Sequence, residues 1–307
     1  VITRYVQHAF PYREMVSGIG FGKRREALLD AFAGLLVELH IAGLYWGDCS
    51  LSNILYRWDA SSIEAVMIDA ETSRIYESIS AGQRAEDLAI MEVNVAGEMA
   101  DIAAAAGAGL DEADLHLGAD ITSRYHSLWK ELTDQLVVTA GDHFRIRQRI
   151  DRLHALGFAV EDIDLIPVDE GTNVRIKVKV GGRQYHSEQL RQTTGIDVSE
   201  NQARSILSDI AYYESKFGPS ASVTGKAVGA IKWRSSVFEP LIIKMSELLP
   251  EGDPYQLYCD FLAYRLHMAE VRGSDIDNDE AFATWQAAGF PASLSEETVE
   301  IPITPRH

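Results

Sequence analysis

The chain has 307 residues, a hydrophobic content of 46% and a formal net charge of −18, from 28 basic and 46 acidic residues. This length and composition suit a globular protein with one large or two ordinary domains. The acidic balance argues against broad binding to nucleic acid or to anionic membranes, because both attract basic protein surfaces.

Short strands and long helices alternate in the first part of the chain. The predicted strands are residues 1–6, 54–57 and 65–68, and the predicted helices are residues 26–42, 85–104 and 121–138. In the first helix, the apolar residues Leu28, Phe32 and Leu35 recur at helical spacing. The last two strands are predicted to pair as a hairpin.

Polar residues flank this predicted hairpin. Trp46-Gly47-Asp48 is followed by Asn53, five residues after the aspartate, and Asp69 ends the second strand. In phosphoryl transfer from a nucleotide, one carboxylate takes the proton of the attacking hydroxyl, while an amide oxygen and a second carboxylate hold magnesium. An aspartate and an asparagine alone could equally belong to an ordinary turn, since both residues favour turns.

The stretch resembles the catalytic loop of kinases, and it is closest to the branch that phosphorylates small molecules such as aminoglycosides and choline. Gly47-Asp48 is similar to the Gly-Asp of that branch. Ile68-Asp69-Ala70-Glu71 is similar to its Ile-Asp-x-Glu, and Asp87-Leu88-Ala89 to its downstream Asp-Leu-Ala. The resemblance covers roughly residues 1–105 and rests on three motifs in the expected order.

The resemblance implies a phosphotransferase that uses ATP and magnesium. Asp48 would be the catalytic base, and Asn53 and Asp69 would be magnesium ligands that also bind the nucleotide through the metal. Glu71 would support the metal site. Asp87, in the first turn of its helix, is expected to support the catalytic loop instead of taking part in the chemistry.

The resemblance also assigns residues 1–6 to the last strand of the small lobe and the hinge, although an ordinary edge strand explains the same pattern. Backbone groups of Arg4 and Val6 would then hold the adenine ring, with Thr3 at the back of the pocket. The sequence begins with Val1, and a Gly-rich phosphate loop with its strand lysine is expected in a preceding segment.

Two departures from the family pattern support an alternative function. Trp46 stands where the family usually has His, and Ser50 stands where Ser/Thr protein kinases carry Lys. The alternative is a pseudokinase or scaffold whose second domain binds a protein partner.

A second unit is predicted to begin near Gly141. Its predicted helices are residues 144–156, 199–217, 233–249, 253–272 and 280–288, and its predicted strands are residues 164–168, 174–180 and 183–187. Gly181-Gly182 is predicted to be the turn between the last two strands. Ser199 and Gln202 are predicted to form a capping box. The fold class predicted for the chain is therefore α+β.

Three regions are expected. Residues 1–140 would be a kinase-like large lobe with its hinge, residues 141–272 an α+β domain, and residues 273–307 an acidic tail. The middle region resembles the uncharacterised C-terminal domain of bacterial lipopolysaccharide-kinase-like proteins, which implies no activity for it. Because no Pro-, Gly- or Ser-rich linker precedes it, this domain is predicted to dock on the helices of residues 85–138.

Basic side chains cluster on two predicted surfaces of this region. They are Arg145, Arg149 and Arg152 on a helix, and Arg175, Lys177 and Lys179 on a strand. They could bind a phosphorylated or acidic ligand. Solvated faces show the same alternation of charges, and that interpretation is favoured.

The sequence predicts no transmembrane segment, no signal peptide and no metal-binding Cys/His cluster. Cys49 and Cys259 lie far apart, which suggests no disulfide framework and a cytoplasmic protein. Cys49 is expected to be inert, since the neighbouring Asp48 disfavours a thiolate. The expected phosphate acceptor is a hydroxyl of a small molecule, a sugar or a lipid head group.

Overall fold

A computed structural model describes residues 5–15, 24–107, 109, 112–139, 143–168, 173–216 and 223–292. The fold is α+β, as predicted. The chain divides into two compact units, each described here by itself. Unit 1 comprises Val1–Arg57 with Ile63–Tyr185, and unit 2 comprises Trp58–Ser62 with His186–His307.

The helices of unit 1 follow the apolar stripes of the sequence. They are α1 (Tyr12–Met15), α2 (Arg25–Ile41), α3 (Ala81–Ala105), α4 (Glu112–Leu115), α5 (Leu117–Thr133) and α6 (His143–Ala155). In α2, the predicted inward residues Leu28, Phe32 and Leu35 are buried. Ser80 begins α3 with a capping box to Gln83, which satisfies amide groups that a helix start leaves unpaired.

The described residues of unit 1 also form three small sheets, although the tip of one hairpin, Trp58–Ser62, belongs to unit 2. Their strands are β1 (Ala9–Pro11), β2 (Leu44–Tyr45), β3 (Ile54–Asp59), β4 (Ser62–Met67), β5 (Arg74–Ile75), β6 (Leu136–Thr139), β7 (Phe158–Val168) and β8 (Asn173–Arg183). The strand orders are β1-β3-β4, β2-β5 and β6-β8-β7. The predicted hairpin is confirmed, because β3 and β4 are neighbours in the first sheet. A short 3-10 turn, Leu51–Asn53, leads into β3.

Unit 2 is helical around an aromatic core. Its helices are α7 (Tyr185–Thr194), α8 (Glu200–Ser215), α9 (Val223–Trp233), α10 (Glu239–Leu248), α11 (Pro254–Arg272) and α12 (Asn278–Ala287). Trp233, Tyr258, Phe261, Phe282 and Trp285 are buried together in this core. A π-helical segment, Arg234–Phe238, joins α9 to α10, so the predicted helix over residues 233–249 is continuous with an earlier one.

Two sequence predictions are wrong at their edges. The helix predicted to reach residue 138 ends at Thr133, because Val137 and Val138 pair in β6 with β8. Tyr5 and Val6 are not in a strand, and the strand that pairs with β3 is Ala9–Pro11. Residues 1–4 lie outside the described residues.

The predicted Gly181-Gly182 turn is also wrong, since both glycines lie inside β8. A Cβ on Gly181 would lie 3.0 Å from Oε1 of Glu161, so this glycine allows a close cross-strand approach. The strand predicted over residues 183–187 is replaced by the start of α7. The regional boundaries at residues 140 and 272 stay predictions, as does the docking of the second region; the compact units divide the chain elsewhere, between Tyr185 and His186.

Candidate active site

One carboxylate of α3 holds the loop that contains Asp48. Asp87 is fully buried, and its Oδ2 and Oδ1 accept hydrogen bonds from the backbone N–H groups of Trp46 and Gly47, each at 2.8 Å. The ring of His40 lies 3.2 Å from Asp87 Oδ2 and 2.7 Å from the Tyr125 hydroxyl. The structural role predicted for Asp87 is therefore confirmed by its contacts.

Gly47 is required by the shape of this loop. Its φ is +79°, and a Cβ there would lie 3.0 Å from the Tyr45 ring and 3.4 Å from the Thr72 carbonyl oxygen. A larger residue would be strained in this left-handed conformation and would also push on both neighbours. The backbone conformation therefore explains why a glycine precedes Asp48 in this loop.

Asp48 lies between two asparagine side chains. The Asn53 amide nitrogen donates to the Asp48 backbone oxygen at 3.1 Å and to its Oδ2 at 3.0 Å. The Asn94 amide nitrogen donates to Asp48 Oδ1 at 3.3 Å and to the Cys49 oxygen at 3.1 Å. The sequence predicted Asn53 but missed Asn94.

Glu98 is the second residue that the sequence missed. Its carboxylate accepts from the backbone N–H groups of Leu51 and Ser52, both at 2.8 Å. Asp87, Asn94 and Glu98 are seven and four residues apart on α3, so they share one face of that helix. This spacing could have indicated that Asn94 and Glu98 lie on the same side of the helix as Asp87. Polar residues of a long amphipathic helix usually face solvent, however, so the spacing did not single them out.

Asp69 is fixed by groups that belong to the same loop. The Trp46 indole N–H donates to the Asp69 backbone oxygen at 3.0 Å. Asp69 Oδ1 accepts from the Glu71 N–H at 3.1 Å. The backbone N–H of Ile68 donates to the Asn53 oxygen at 3.0 Å, which brings the residue before β3 next to the residue before Asp69.

The oxygen atoms left by these bonds suit a hard cation. The Asn53 side chain makes its two hydrogen bonds to Asp48 through its nitrogen, and neither bond uses Oδ1. No group of three or more His, Cys, Asp or Glu side chains within the described parts of the chain is placed to hold a metal. The predicted ligands Asn53, Asp69 and Glu71 include one amide, and their metal role stays a prediction.

Of the three residues predicted to contact adenine, only Val6 lies among the described residues. Thr3 and Arg4 lie outside the described residues. Val6 is described, is partly buried and is not in a strand. Its role in a hinge also stays a prediction.

Cys49 is chemically quiet, as expected. Its side chain is fully buried, and burial followed by the charge of Asp87 raises the pKa of the thiol well above its usual range. The sequence analysis attributed the disfavoured thiolate to Asp48. Asp48 does raise the pKa of the thiol, but less than burial and Asp87 do. Cys49 is therefore a packed thiol and not a nucleophile.

A polar cavity of about 370 Å³ lies beside the loop, lined in part by Gly47 and Thr72. Tyr45, Arg74 and Glu86 contribute charged or hydroxyl groups to its wall. Burial, followed by the charge of Glu86, raises the pKa of Tyr45, so its hydroxyl stays protonated at neutral pH. The cavity offers both donors and acceptors to a hydrophilic molecule.

The basic clusters predicted from the sequence are largely paired. Glu131 forms salt bridges with Arg149 at 3.2 Å and with Arg152 at 3.3 Å. The strand register places Lys177 opposite Asp164 and Lys179 opposite Asp162, and the Lys179 amine lies 2.9 Å from Glu161. These pairs favour the interpretation of solvated faces.

Comparisons with known proteins bear on the second part of the chain. Residues 127–289, just over half of the sequence, match a family model described as "Domain of unknown function (DUF4032)". The uncharacterised domain predicted for residues 141–272 falls inside this match. No curated protein and no solved structure matches the chain. Within the described parts of the chain, no helix is both long and apolar enough to cross a membrane.

Proposed function

The chain belongs to the DUF4032 family, and we propose that its unit 1 carries the catalytic loop of a kinase-like phosphotransferase. The acceptor is a hydroxyl of a small molecule, a sugar or a lipid head group. Asp48 is the base, and Asn53 and Asp69 are the magnesium ligands. A polar cavity that is lined by Gly47, but not by Asp48, Asn53 or Asp69, lies next to this loop and would suit a small hydrophilic molecule.

A single arrangement carries the proposal. Asp48 and Asn53 share a direct side-chain hydrogen bond, and Asp69 is linked to this pair only through neighbouring residues, since Ile68 donates to the Asn53 backbone oxygen and Trp46 donates to the Asp69 backbone oxygen. Asn53 contacts Asp48 directly, and Trp46 joins the backbone beside Asp48 to that of Asp69. An ordinary turn explains Asp48 and Asn53, but it does not explain the nearby Asp69, so the full set favours a chemical role.

Trp46 supports the activity despite its departure from the family pattern. A histidine at this position could offer a ring N–H, and the Trp46 indole offers the same kind of donor to the Asp69 oxygen. Ser50 is different, because its hydroxyl lies 3.1 Å from the Ser52 hydroxyl and carries no charge that could replace lysine. The substitution at Trp46 therefore no longer favours a pseudokinase, whereas that at Ser50 still does.

The donor set fits magnesium and the phosphates of ATP. Amide and carboxylate oxygens are the protein ligands that magnesium accepts, usually together with water and phosphate oxygens. Asn53 and Asp69 would hold the ion, and Glu71 would support it. When bound, the ion supplies positive charge that neutralises the phosphates.

The reaction would be an in-line phosphoryl transfer from ATP. The acceptor oxygen forms a bond to the terminal phosphorus, and the bond from that phosphorus to the bridging oxygen breaks, which leaves ADP. The proton of the acceptor moves to a carboxylate oxygen of Asp48. Asn94 and Asn53 orient that carboxylate through its Oδ1 and Oδ2, and Asp87 fixes the loop beneath it.

The second candidate is a nucleotide-binding scaffold that transfers no phosphate. It is favoured by Ser50, which carries no charge that could replace the lysine of Ser/Thr protein kinases. The two functions make different predictions about turnover, because a scaffold binds nucleotide without releasing ADP.

The test is Asp48→Asn in the full-length protein. ATP binding with magnesium, measured by calorimetry, should change little. ADP release in the presence of a mixture of choline, glucose and glycerol should fall at least about a hundredfold, as for a lost general base. Asp151→Asn, at an exposed position of α6, is the matched control and should behave as the wild type.

The outcomes separate the two candidates. Nucleotide binding by the wild type without ADP release, with these three acceptors, would favour the scaffold over an enzyme that acts on acceptors of this kind. No nucleotide binding by the wild type would reject both candidates. Equal ADP release by the wild type and Asp48→Asn would remove Asp48 as the base.

A further inference from the structure

Unit 2 contains a cavity of about 440 Å³ between α8 and α11. This volume lies in the range of small-molecule sites. Ala60 and Ser61, at the tip of the β3–β4 hairpin, also line the cavity and belong to the same unit. The Gln256 side chain fixes this tip, because it exchanges two hydrogen bonds with the backbone of Ala60. The lining is therefore built within one compact unit.

One face of α11 makes an apolar wall of the cavity. Four apolar residues recur on this face and line the cavity, namely Leu262, Ala263, Leu266 and Ala269. Cys259 extends the wall toward the start of the helix, and its side chain is buried. Burial, followed by the charge of Asp260, raises the pKa of the Cys259 thiol, so the thiol stays neutral. An occupant that packs against this wall has an apolar body.

Arg265 and Asp209 neutralise each other in the lining. The Arg265 guanidinium lies 2.5 Å from Asp209 Oδ1 and also donates to Asn278. The other carboxylate oxygen of Asp209, Oδ2, accepts from the Trp233 indole and the Tyr258 hydroxyl, both at 2.7 Å. Both charges are thus used within the fold, and neither is left to recognise a ligand.

The other charged groups of the lining are engaged as well. The Tyr212 hydroxyl donates to Asp275 at 2.8 Å, and Arg204 interacts with another residue of the protein. The lining contains two basic residues and two acidic ones, so their charges balance. A charged ligand would lose its hydration in this cavity without gaining an oppositely charged partner, which is costly. The charge balance therefore favours a neutral occupant.

Three serines give the cavity neutral hydrogen-bonding groups. The Ser208 hydroxyl donates to the Arg204 backbone oxygen at 2.9 Å. Ser61 and Ser205 also line the cavity, and within the described residues neither hydroxyl has a protein partner. Ser205 is the less exposed of these two. A hydroxyl can both donate and accept, so Ser205 offers a bond to an uncharged polar group.

We propose that this cavity binds a small neutral molecule of the aliphatic alcohol class, with an apolar body and one hydrogen-bonding head group. The body packs against the apolar wall of α11, and the head group bonds to the hydroxyl of Ser205. This site is independent of the proposed phosphotransferase activity, because the loop that contains Asp48 lies in unit 1.

The experiment titrates the full chain with octan-1-ol, octanoate and octylamine by calorimetry. Octan-1-ol should bind at least about tenfold more tightly than either charged compound. Ser205→Ala should weaken octan-1-ol binding about fivefold, because it removes the partner of the head group. Ser246→Ala, at an exposed position of α10, is the control and should bind octan-1-ol as the wild type does.

A charge at the mouth of the cavity tests the location of the site. Leu266 lines the cavity and is 61% exposed, so Leu266→Lys should leave the fold intact. This variant should bind octanoate about threefold more tightly than the wild type does, as expected for an exposed ion pair. Ile243→Lys, on α10 at a residue that is 59% exposed and outside the lining, should not change octanoate binding.

The outcomes that would overturn the proposal are distinct. Equal affinity for the three compounds, or no binding of octan-1-ol, would overturn a neutral ligand. The same octanoate affinity in Leu266→Lys and Ile243→Lys would overturn the cavity as the site. Unchanged octan-1-ol binding in Ser205→Ala would overturn the contact with the head group.

Discussion

At the scale of single residues, Asp87 explains how the candidate site keeps its shape. A buried carboxylate is costly unless donors surround it, and here two backbone N–H groups and the ring of His40 do so. The partners are mutually dependent, because the N–H groups of Trp46 and Gly47 would otherwise lack this acceptor. Asp87 thus stabilises the fold and positions the loop through one set of bonds.

Asp87→Ala should therefore lower the free energy of unfolding by about 3 kcal/mol or more, because it leaves buried donors unpaired. Urea denaturation measures this loss. Asp101→Ala, an exposed acid on the same helix, is the control and should stay within about 0.5 kcal/mol of the wild type. Similar losses in both variants would contradict the role given to Asp87.

The sequence predicted the site residues that lie in local motifs and missed those that reach the site across space. Asp48, Asn53 and Asp69 were predicted because they lie in short motifs, at fixed spacings around a hairpin, that resemble those of a kinase family, and their roles stay predictions. Asn94 and Glu98 were missed because each looks like an ordinary polar residue of an amphipathic helix. Their hydrogen bonds span 45 residues or more of sequence, which local patterns do not encode.

At the scale of elements, the start of α8 shows how a local rule can fail. The predicted capping box is not formed, since the Ser199 side chain makes no cap hydrogen bond. The N–H of Gln202 instead donates to Asp59 at 2.7 Å, and its side chain donates to the Gln256 oxygen at 3.2 Å. At the start of α8, the acceptor is therefore a residue distant in sequence, Asp59, and not the local Ser199 side chain.

The same helix supplies a carboxylate to its neighbour. Glu200 accepts hydrogen bonds from the backbone N–H groups of His186 and Ser187, at 2.8 and 3.0 Å, and its Oε1 lies 2.7 Å from the His186 ring. These groups open α7, so Glu200 caps a helix to which it does not belong. This contact explains why residues 185–187 form a helix where the sequence predicted a strand.

A pH dependence follows from Glu200. Burial alone would raise the pKa of this carboxyl, but the hydrogen bonds from His186 and Ser187 together outweigh burial and lower the pKa. The stabilisation is therefore present above the unfolded-state value, about 4.3, and is lost as pH falls through the lower folded-state pKa. Glu200→Gln should cost about 1–2 kcal/mol at pH 7, with the difference from wild type shrinking below about pH 4.

Urea denaturation at pH 7, 5, 4 and 3 measures this difference. Glu247→Gln, at an exposed position near the end of α10, provides a comparison that should show no such trend. A cost of Glu200→Gln that stays constant over this pH range would rule out the proposed linkage.

At the scale of the whole molecule, unit 2 is assembled from two distant pieces of sequence. The segment Trp58–Ser62 belongs to it together with the residues from His186 onward. The Gln256 amide and the backbone of Ala60 exchange two hydrogen bonds, at 2.9 and 3.0 Å, across 196 residues. The sequence predicts that residues 58–62 lie at the tip of a hairpin. The local sequence pattern does not indicate that this tip packs in unit 2.

The discontinuous sequence of unit 2 explains why the predicted boundaries at residues 140 and 272 differ from the limits of the compact units. The helices and the hairpin were predictable because their apolar periods and caps are local. Which compact unit a segment belongs to depends on contacts between residues far apart in the chain. Such contacts close long loops, and local sequence patterns do not reveal them. The family match begins at residue 127 and so omits Trp58–Ser62, although unit 2 contains that segment.

Asp59 provides the test of this discontinuous unit. It is fully buried, and its carboxylate accepts from the N–H groups of Asn201 and Gln202 and from the Asn201 side chain, across about 142 residues. Asp59→Ala should therefore lower the free energy of unfolding by about 3 kcal/mol, a larger loss than that of Ser199→Ala. Hydrogen exchange should show faster exchange of the Asn201 and Gln202 amides in Asp59→Ala, with little change at the start of α3. Unchanged protection of those two amides would mean that Asp59 does not cap α8, and the dependence of unit 2 on the distant segment would have to come from Ala60 and Gln256 alone.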